Sequence, residues 1–338
     1  MVEKVSTAFI LGAGFSKGYN PEVVPLIHEF LDIAEKEGVL KPDEEHKELV
    51  DFIDKYFGEY SSVNIEKLAS FLTTELIPDI YQRNIYRDKL YGQLISIVTD
   101  TLSGIQDHPV NKNVQDTYKK FVDKVVKNRT NIITFNYDLI LDKLLLDTGR
   151  WLHTTGYGVE IPLDVECLVP MDNSKMQYLK LHGSLNWSRR IVPHPKYGDR
   201  IVLSPFGFNV SHKYFPLIYT GSPSESFYDP FIVPPIMTKE SFYKNTLLQN
   251  IWYEAKDLLC KANEIFIIGY SFPPADFPAE FLFRQSIASP PSEIEKKIIV
   301  INREIDKSYK NRVENIFQKA TFEYREEDVV EFLKRYTE

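Results

Sequence analysis

Four apolar, β-favouring runs in this chain are each followed at once by glycine or small polar residues. The runs are 7–11, 131–135, 178–181 and 265–268, and the residues directly after them are Gly12, Asn136, His182 and Gly269. Open α/β sheets bind ligands in the crevice beyond the carboxyl ends of their strands. The sequence therefore predicts that four distant segments meet at one edge of a sheet and form a ligand site there.

From position 131 onward the chain alternates predicted strands and helices. The strands are rich in Ile, Val and Phe with little polar alternation, as expected when helices cover both faces of a sheet. This order predicts an α/β fold with a doubly wound, mainly parallel Rossmann-like sheet and helices on both faces. The predicted strands are 6–11, 131–135, 177–181, 264–269, 297–302 and 320–324, and the helices of this part are 139–146, 242–261, 277–287, 305–318 and 326–336.

Two stretches depart from this alternation. Residues 20–127 have the apolar spacing of helices, in segments 22–36, 44–57, 64–76 and 79–102, and predict a helical insertion subdomain at the sheet edge. Residues 186–241 mix proline, glycine, serine and aromatic residues and predict an irregular excursion near the site.

Composition excludes several classes of protein. A net charge of −8 argues against a protein that mainly binds nucleic acid. The only cysteines are Cys167 and Cys260, so a four-cysteine zinc site is impossible and a disulfide framework is not expected. We expect no signal peptide and no membrane span, because no apolar run approaches the ~20 residues a spanning helix needs. These features predict a cytoplasmic protein.

The glycine turn after the first predicted strand is typical of a phosphate-binding loop. Gly12 and Gly14 would let backbone N–H groups approach a pyrophosphate at a helix N-terminus. The third glycine of a dehydrogenase fingerprint is missing, because position 17 is Lys17. The alternative is a plain tight turn in which Ser16 helps to cap the following helix.

Polar side chains follow the other strands. Asn136 and Asp138 flank a tyrosine at a strand end and would point into the crevice, although an Asx-type turn or helix N-cap is the alternative for Asp138. His182 is the only one of seven histidines at a strand end beside a glycine, and the other six receive no role. Asp276 either faces the site or caps the helix 277–287, and Asn302 either meets a ribose or caps a turn.

In combination these segments resemble the sirtuin-like family, most closely its zinc-free branch in bacterial anti-phage defence. The resemblance spans nearly the whole chain, so 1–338 is interpreted as one sirtuin-like, NAD-binding catalytic domain. It is carried by Gly-Ala-Gly-Phe-Ser at 12–16, Asn-Ile-Glu at 64–66, Thr-Phe-Asn-Tyr-Asp at 134–138, His-Gly at 182–183, Val-Pro-Pro at 233–235 before Lys239, Gly-Tyr-Ser at 269–271 and Val-Ile-Asn at 300–302.

The resemblance implies roles for these residues. Asn136 and Asp138 would lie around the nicotinamide riboside, and His182 would be the catalytic base. The predicted cofactor-binding residues are Gly12, Ala13, Gly14 and Ser16 for the pyrophosphate, Gly269, Ser271 and Asn302 for the adenosine half, and Asp276 beside them.

The implied activity is an NAD⁺ glycohydrolase that releases nicotinamide and ADP-ribose and depletes NAD⁺ as an anti-phage effector. NAD⁺ would be the substrate, and no zinc is expected. Protein-deacylating sirtuins continue their glycine turn with Gly-Ile-Pro-Asp-Phe-Arg, whereas this chain has Lys-Gly-Tyr-Asn-Pro at 17–21. The alternatives are a non-catalytic module that binds NAD or ADP-ribose, and an NAD-dependent deacylase or ADP-ribosyl transferase.

Such an enzyme must be restrained in a healthy cell. We expect a homo-oligomer or control by a separate protein, and the family resemblance suggests a HerA-type hexameric ATPase or a short prokaryotic Argonaute. The stretch 79–102 is either an assembly surface or ordinary core packing. No direct contact with nucleic acid or membrane is expected.

Overall fold

The fold is taken from a computed structural model of the chain. It describes residues 6–59, 61, 63–73, 82–105, 108–161, 176–194, 198–203, 228–234, 236, 242–288 and 295–338. The strands are, in chain order, β1 (Thr7–Leu11), β2 (Asn131–Thr134), β3 (Tyr178–Lys180), β4 (Gly183–His194), β5 (Gly198–Leu203), β6 (Tyr228–Ile232), β7 (Glu264–Ile268), β8 (Lys297–Asn302) and β9 (Thr321–Glu326). The helices are α1 (Ala13–Tyr19), α2 (Phe30–Lys36), α3 (Lys47–Tyr56), α4 (Ile65–Thr73), α5 (Gln82–Gly104), α6 (Lys112–Asn128), α7 (Ile140–Asp147), α8 (Thr246–Lys261), α9 (Phe277–Ala288), α10 (Lys307–Ile316) and α11 (Val329–Thr337).

The main sheet has six strands in the order β3-β2-β1-β7-β8-β9. Every neighbouring pair is parallel, which confirms the predicted doubly wound α/β fold. From β1 the chain first builds one half of the sheet and then returns to build the other half from β7. The strand order therefore reverses between β1 and β7, and a crevice opens beyond their carboxyl ends at this point.

The core explains why the strands are almost continuously apolar. Residues 8–11 of β1 and 298–301 of β8 are buried, since helices pack on both faces of the sheet. The ring of Phe9 in β1 meets Phe121 of α6 edge-on, with centroids 5.2 Å apart, and Tyr336 of α11 at 5.5 Å. Helix α6 therefore belongs to the layer that covers the sheet, although it lies inside the stretch 20–127.

The described residues between α1 and β2 contain helices α2 to α6 and no strand. The side chain of Asn64 caps α4, because its Oδ1 accepts hydrogen bonds from the N–H groups of Glu66 and Lys67. The predicted helix 22–36 is too long and begins only at Phe30. Whether 20–127 forms a separate subdomain stays a prediction.

The interpretation of 186–241 as irregular is wrong for its described residues. Strands β5, β4 and β6 form a three-stranded antiparallel sheet, and β4 starts at Gly183, directly after His182. Residues 184–188 are all buried, the polar Ser184, Asn186 and Ser188 included, although they alternate with apolar residues as in a strand that exposes one face. The predicted helix 242–261 also begins later, at Thr246, where Oδ1 of Asn245 accepts from the N–H groups of Leu247 and Leu248.

No helix in the described part of the chain combines the length and the apolar character that a membrane crossing requires.

Candidate functional site

A cavity of about 380 Å³ opens at the carboxyl ends of β1, β2, β7 and β8. This is the size of a site for a small ligand. The structure brings every residue of the predicted site to this cavity, although the role of each stays a prediction. The predicted residues that line it are Gly12, Ala13, Gly14, Ser16, Asn136, Asp138, His182, Gly269, Ser271, Asp276 and Asn302.

The glycines of the site are required first by the close approach of two backbones. A Cβ on Gly12 would lie 2.5 Å from the carbonyl oxygen of Gly269, and one on Gly14 would lie 2.7 Å from the Cα of Gly269. The N–H of Gly14 donates to the carbonyl of Gly269 at 2.9 Å, and that of Gly12 donates to Ile268 at 3.0 Å. These two N–H groups therefore bind β7 and its turn. The predicted reason for the glycines, access of their N–H groups to a pyrophosphate, does not match this geometry.

Replacing Gly269 with alanine is expected to lower the free energy of unfolding by about 2–3 kcal/mol. Gly269 has φ +62°, and its Cβ would lie 2.5 Å from the backbone nitrogen of Phe15. Gly38→Ala is the matched control, because Gly38 has φ +71° with no atom within 4 Å of the added Cβ. Urea titration of both variants separates conformational strain from the clash. Equal losses in the two would contradict this account of the turn.

A chain of hydrogen bonds fixes the amide of Asn136. Its Nδ2 donates to the carbonyl of Gly12 at 2.9 Å and to Oγ of Ser16 at 3.0 Å. The atom facing Gly12 must be the nitrogen, because a carbonyl oxygen only accepts. Both amide hydrogens are therefore used within the protein, and Oδ1 is the atom of Asn136 that can act on a ligand.

Asp138 is the next residue in this series of hydrogen bonds, after Asn136 and Ser16. Its Oδ2 accepts from the Ser16 hydroxyl at 2.7 Å and its Oδ1 from the N–H of Ile140 at 3.1 Å, the second being an Asx-type contact. Burial raises the pKa of Asp138, and the charge of Lys180 and the hydrogen bond from Ser16 oppose this shift. Both carboxyl oxygens therefore bind protein donors, and the Ser16 hydroxyl links Asp138 to Asn136.

A buried ion pair lies under the loop that carries these residues. Nζ of Lys180 is 3.0 Å from Oδ2 of Asp142, and both side chains are fully buried. The same ammonium donates to the carbonyls of Asp138 at 2.7 Å and Tyr137 at 3.4 Å. Asp142 also accepts from the hydroxyl of Tyr157. The pair therefore fixes the backbone of the loop 137–138.

His182 occupies a buried aromatic corner of the cavity. Its ring lies edge-on to Phe135, with centroids 5.1 Å apart, and is stacked with Tyr137 at 6.2 Å. Its Nε2 is 3.4 Å from Oδ1 of Asp276, which is an ion-pair distance. Oδ2 of Asp276 accepts from the hydroxyl of Tyr270 at 3.1 Å. Burial raises the pKa of Tyr270 and of Tyr137 well above the usual value, so both phenols are neutral donors.

The sequence analysis missed one wall of the cavity. Residues 24–28 precede α2 and line this wall together with Phe30, Ile65, Glu66, Val98 and Leu102, and His28, to which no role was given, is among them. The Asn-Ile-Glu segment at 64–66 carried part of the family resemblance, but no site role was predicted for Ile65 or Glu66, which line this wall. The other wall residues come from helix packing, which the local sequence does not encode.

Among the described residues that line the cavity, the charged side chains are mainly acidic. They include the carboxyl groups of Glu66, Asp138 and Asp276 and no lysine or arginine. Among the residues that the structure describes, no three metal-binding side chains come together. Cys260 is buried, and Cys167 lies outside the described residues.

No protein-family model matches the sequence. A search of curated proteins finds no match either. Solved structures of sirtuins match over most of the chain, at low similarity. Sir2 in complex with the inhibitor EX-527, 2'-O-acetyl-ADP-ribose and deacetylated p53 peptide has a TM-score of 0.40 and 15% identity over 98% of this chain and 91% of that chain. Sir2 with a p53 peptide and NAD⁺ has a TM-score of 0.40 and 14% identity over 98% and 92% of the two chains. The sirtuin-like family stays a prediction, and the function has to be inferred from the cavity itself.

Proposed function

We propose that this chain is an NAD⁺ glycohydrolase that cleaves the bond between nicotinamide and ribose. One observation carries the proposal: the His182 imidazole, with a carboxylate beside it, and the fixed Asn136 amide line the same cavity at the switch point of the sheet. A base and an oriented hydrogen-bond acceptor are what hydrolysis of a ribosyl pyridinium requires.

The charge of the cavity favours this substrate class. Nicotinamide in NAD⁺ is a pyridinium that leaves as a neutral molecule, so the reaction needs no acid to protonate the leaving group. The charge it does need to stabilise is positive, on the oxocarbenium-like ribose. Glu66, Asp138 and Asp276 supply carboxyl groups, and no lysine or arginine opposes them among the described lining residues.

Each residue then has a distinct task. His182 takes a proton from water as the water oxygen bonds to the ribose carbon, and the carbon–nitrogen bond breaks with its electrons passing to the pyridinium nitrogen. Oδ1 of Asn136 accepts from a ribose hydroxyl and orients the sugar. Asp138 holds Asn136 through Ser16. The products are nicotinamide, ADP-ribose and a proton.

The rest of the dinucleotide would extend along the strand ends. We propose that Gly269, Ser271 and Asn302, at the ends of β7 and β8, lie beside the adenosine half. The pyrophosphate would lie near Ala13 and Ser16 rather than on the N–H groups of Gly12 and Gly14, which bind β7 and its turn.

Incubating the purified protein with NAD⁺, with and without an acyl-lysine peptide, tests the proposed function. We expect equal amounts of nicotinamide and ADP-ribose, independent of the peptide. Acyl-ADP-ribose would instead identify a deacylase. Unchanged NAD⁺ together with calorimetric binding of ADP-ribose would favour a binding module.

The wider biological role rests on this activity. We propose that the protein is a cytoplasmic anti-phage effector that depletes NAD⁺. Its control would come from self-assembly or from a separate protein such as a HerA-type ATPase or a short prokaryotic Argonaute.

A further inference from the structure

Asp276 lines the cavity, as one interpretation of the sequence predicted, and its side chain lies beside His182. The sequence grouped it with the cofactor-binding residues or made it the cap of the helix 277–287. In the structure its Oδ1 is 3.4 Å from Nε2 of His182, and both side chains are buried. A buried carboxylate beside a buried imidazole is the arrangement by which proteins set the basicity and orientation of a histidine.

We propose that Asp276 is the positioning residue of His182 and increases the basicity of its imidazole, an inference that rests on the proposed function. The contact between Nε2 and Oδ1 has an ion-pair distance and is not a hydrogen bond, so the carboxylate acts on the ring through its charge. When His182 takes the proton from water, the negative charge of Asp276 stabilises the imidazolium that forms.

The surroundings hold the carboxylate in place. Its Oδ2 accepts from the hydroxyl of Tyr270 at 3.1 Å. The Tyr270 ring stacks on Phe135, with centroids 4.6 Å apart, and its carbonyl accepts from the hydroxyl of Tyr309 at 2.7 Å. Phe135 in turn meets the His182 ring. Asp276 is therefore held by Tyr270 and His182 packs against Phe135, and the stacking of these two rings links the aspartate to the histidine.

Other ionisable groups around His182 come from several elements. Tyr137 stacks on its ring, and Tyr270 and Tyr243 lie near Asp276, all three with a raised pKa because of burial and therefore neutral. Glu66 and Asp138 line the same cavity as carboxyl groups. Among the described groups named here, Asp276 is the one that stands at ion-pair distance from the imidazole.

The test is Asp276→Asn, which keeps the shape and removes the charge. Selective histidine labelling, with His182→Gln to assign the signal, gives the NMR titration midpoint of the His182 imidazole. We expect the midpoint to fall by about 1–2 pH units, because the nearby negative charge favours the protonated form. The acidic limb of the pH–rate profile for nicotinamide release should move down by the same amount. Glu66→Gln, which removes a carboxyl group from the same cavity, should move both by less than half as much.

Two more variants keep the test informative if Asp276→Asn folds poorly. Asp276→Glu restores the charge and should return the midpoint toward that of the wild type. Tyr270→Phe removes the hydrogen bond that the tyrosine hydroxyl donates to the carboxylate. The negative charge of Asp276 then acts more strongly on the imidazole, and the midpoint should move in the opposite direction to that of Asp276→Asn. An unchanged midpoint in folded Asp276→Asn would overturn the inference, as would a changed midpoint with an unchanged pH–rate profile. If Asp276→Asn changes the midpoint but the wild-type protein releases no nicotinamide, the pairing is supported and the proposed function is overturned instead.

Discussion

Replacing His182 with alanine is expected to lower the rate of nicotinamide release by about 10²–10⁴-fold, the usual contribution of a positioned general base. The imidazole lines the cavity and stands at ion-pair distance from the carboxylate of Asp276. Initial rates with NAD⁺ at saturating concentration measure the effect directly. Because His182 is buried between Phe135 and Tyr137, His182→Gln is the variant that best preserves the packing while removing the base.

Asn136→Ala is expected to reduce the same rate strongly, for a different reason. It removes the oxygen that we assign to the ribose hydroxyl, and it leaves the carbonyl of Gly12 without its amide donor. Thermal unfolding and circular dichroism should show that both variants keep the fold. Normal consumption of NAD⁺ by folded His182→Ala and Asn136→Ala would contradict the assignment of both residues.

The fold and the location of the site could be predicted because both depend on local patterns. The runs that became β1, β2, β7 and β8 are apolar on both faces, and this is typical of a covered parallel sheet. Once the strands are parallel, their carboxyl ends lie at the same edge. Residues as distant in sequence as Gly12 and Asn302 were therefore expected to line the same crevice, and both line the cavity.

The contacts within the site could not be predicted in the same way. Asp276 precedes α9 and His182 follows β3. Their pairing depends on how these two segments pack together, and no local sequence pattern encodes that packing. The antiparallel sheet β5-β4-β6 pairs β4 with β6, which is distant in sequence, and the alternation of polar and apolar residues at 184–188 was not recognised as a strand. The glycine turn was located correctly and explained wrongly, because Gly14 meets the backbone of Gly269.

Replacing Lys180 with methionine is expected to lower the free energy of unfolding by about 3–5 kcal/mol. The change leaves the carboxylate of Asp142 buried without its cation and the carbonyls of Tyr137 and Asp138 without their ammonium donor. Denaturant titration gives the loss of stability. Since the same ammonium fixes the loop 137–138, the rate of nicotinamide release should fall together with the stability, although Lys180 does not line the cavity.

The control is the half-exposed pair of Lys297 and Glu323, whose Nζ and Oε2 are 2.7 Å apart and whose carboxylate Arg325 also binds. Lys297→Met should cost less than about 1 kcal/mol, because water screens an exposed pair and solvates the partner that remains. The double variant Lys180→Met/Asp142→Leu should recover part of the stability, since no buried charge is then left unpaired. It should not recover the activity, because the loop carbonyls still lack their donor. Recovery of activity together with stability would show that the pair only stabilises the fold and does not position the loop.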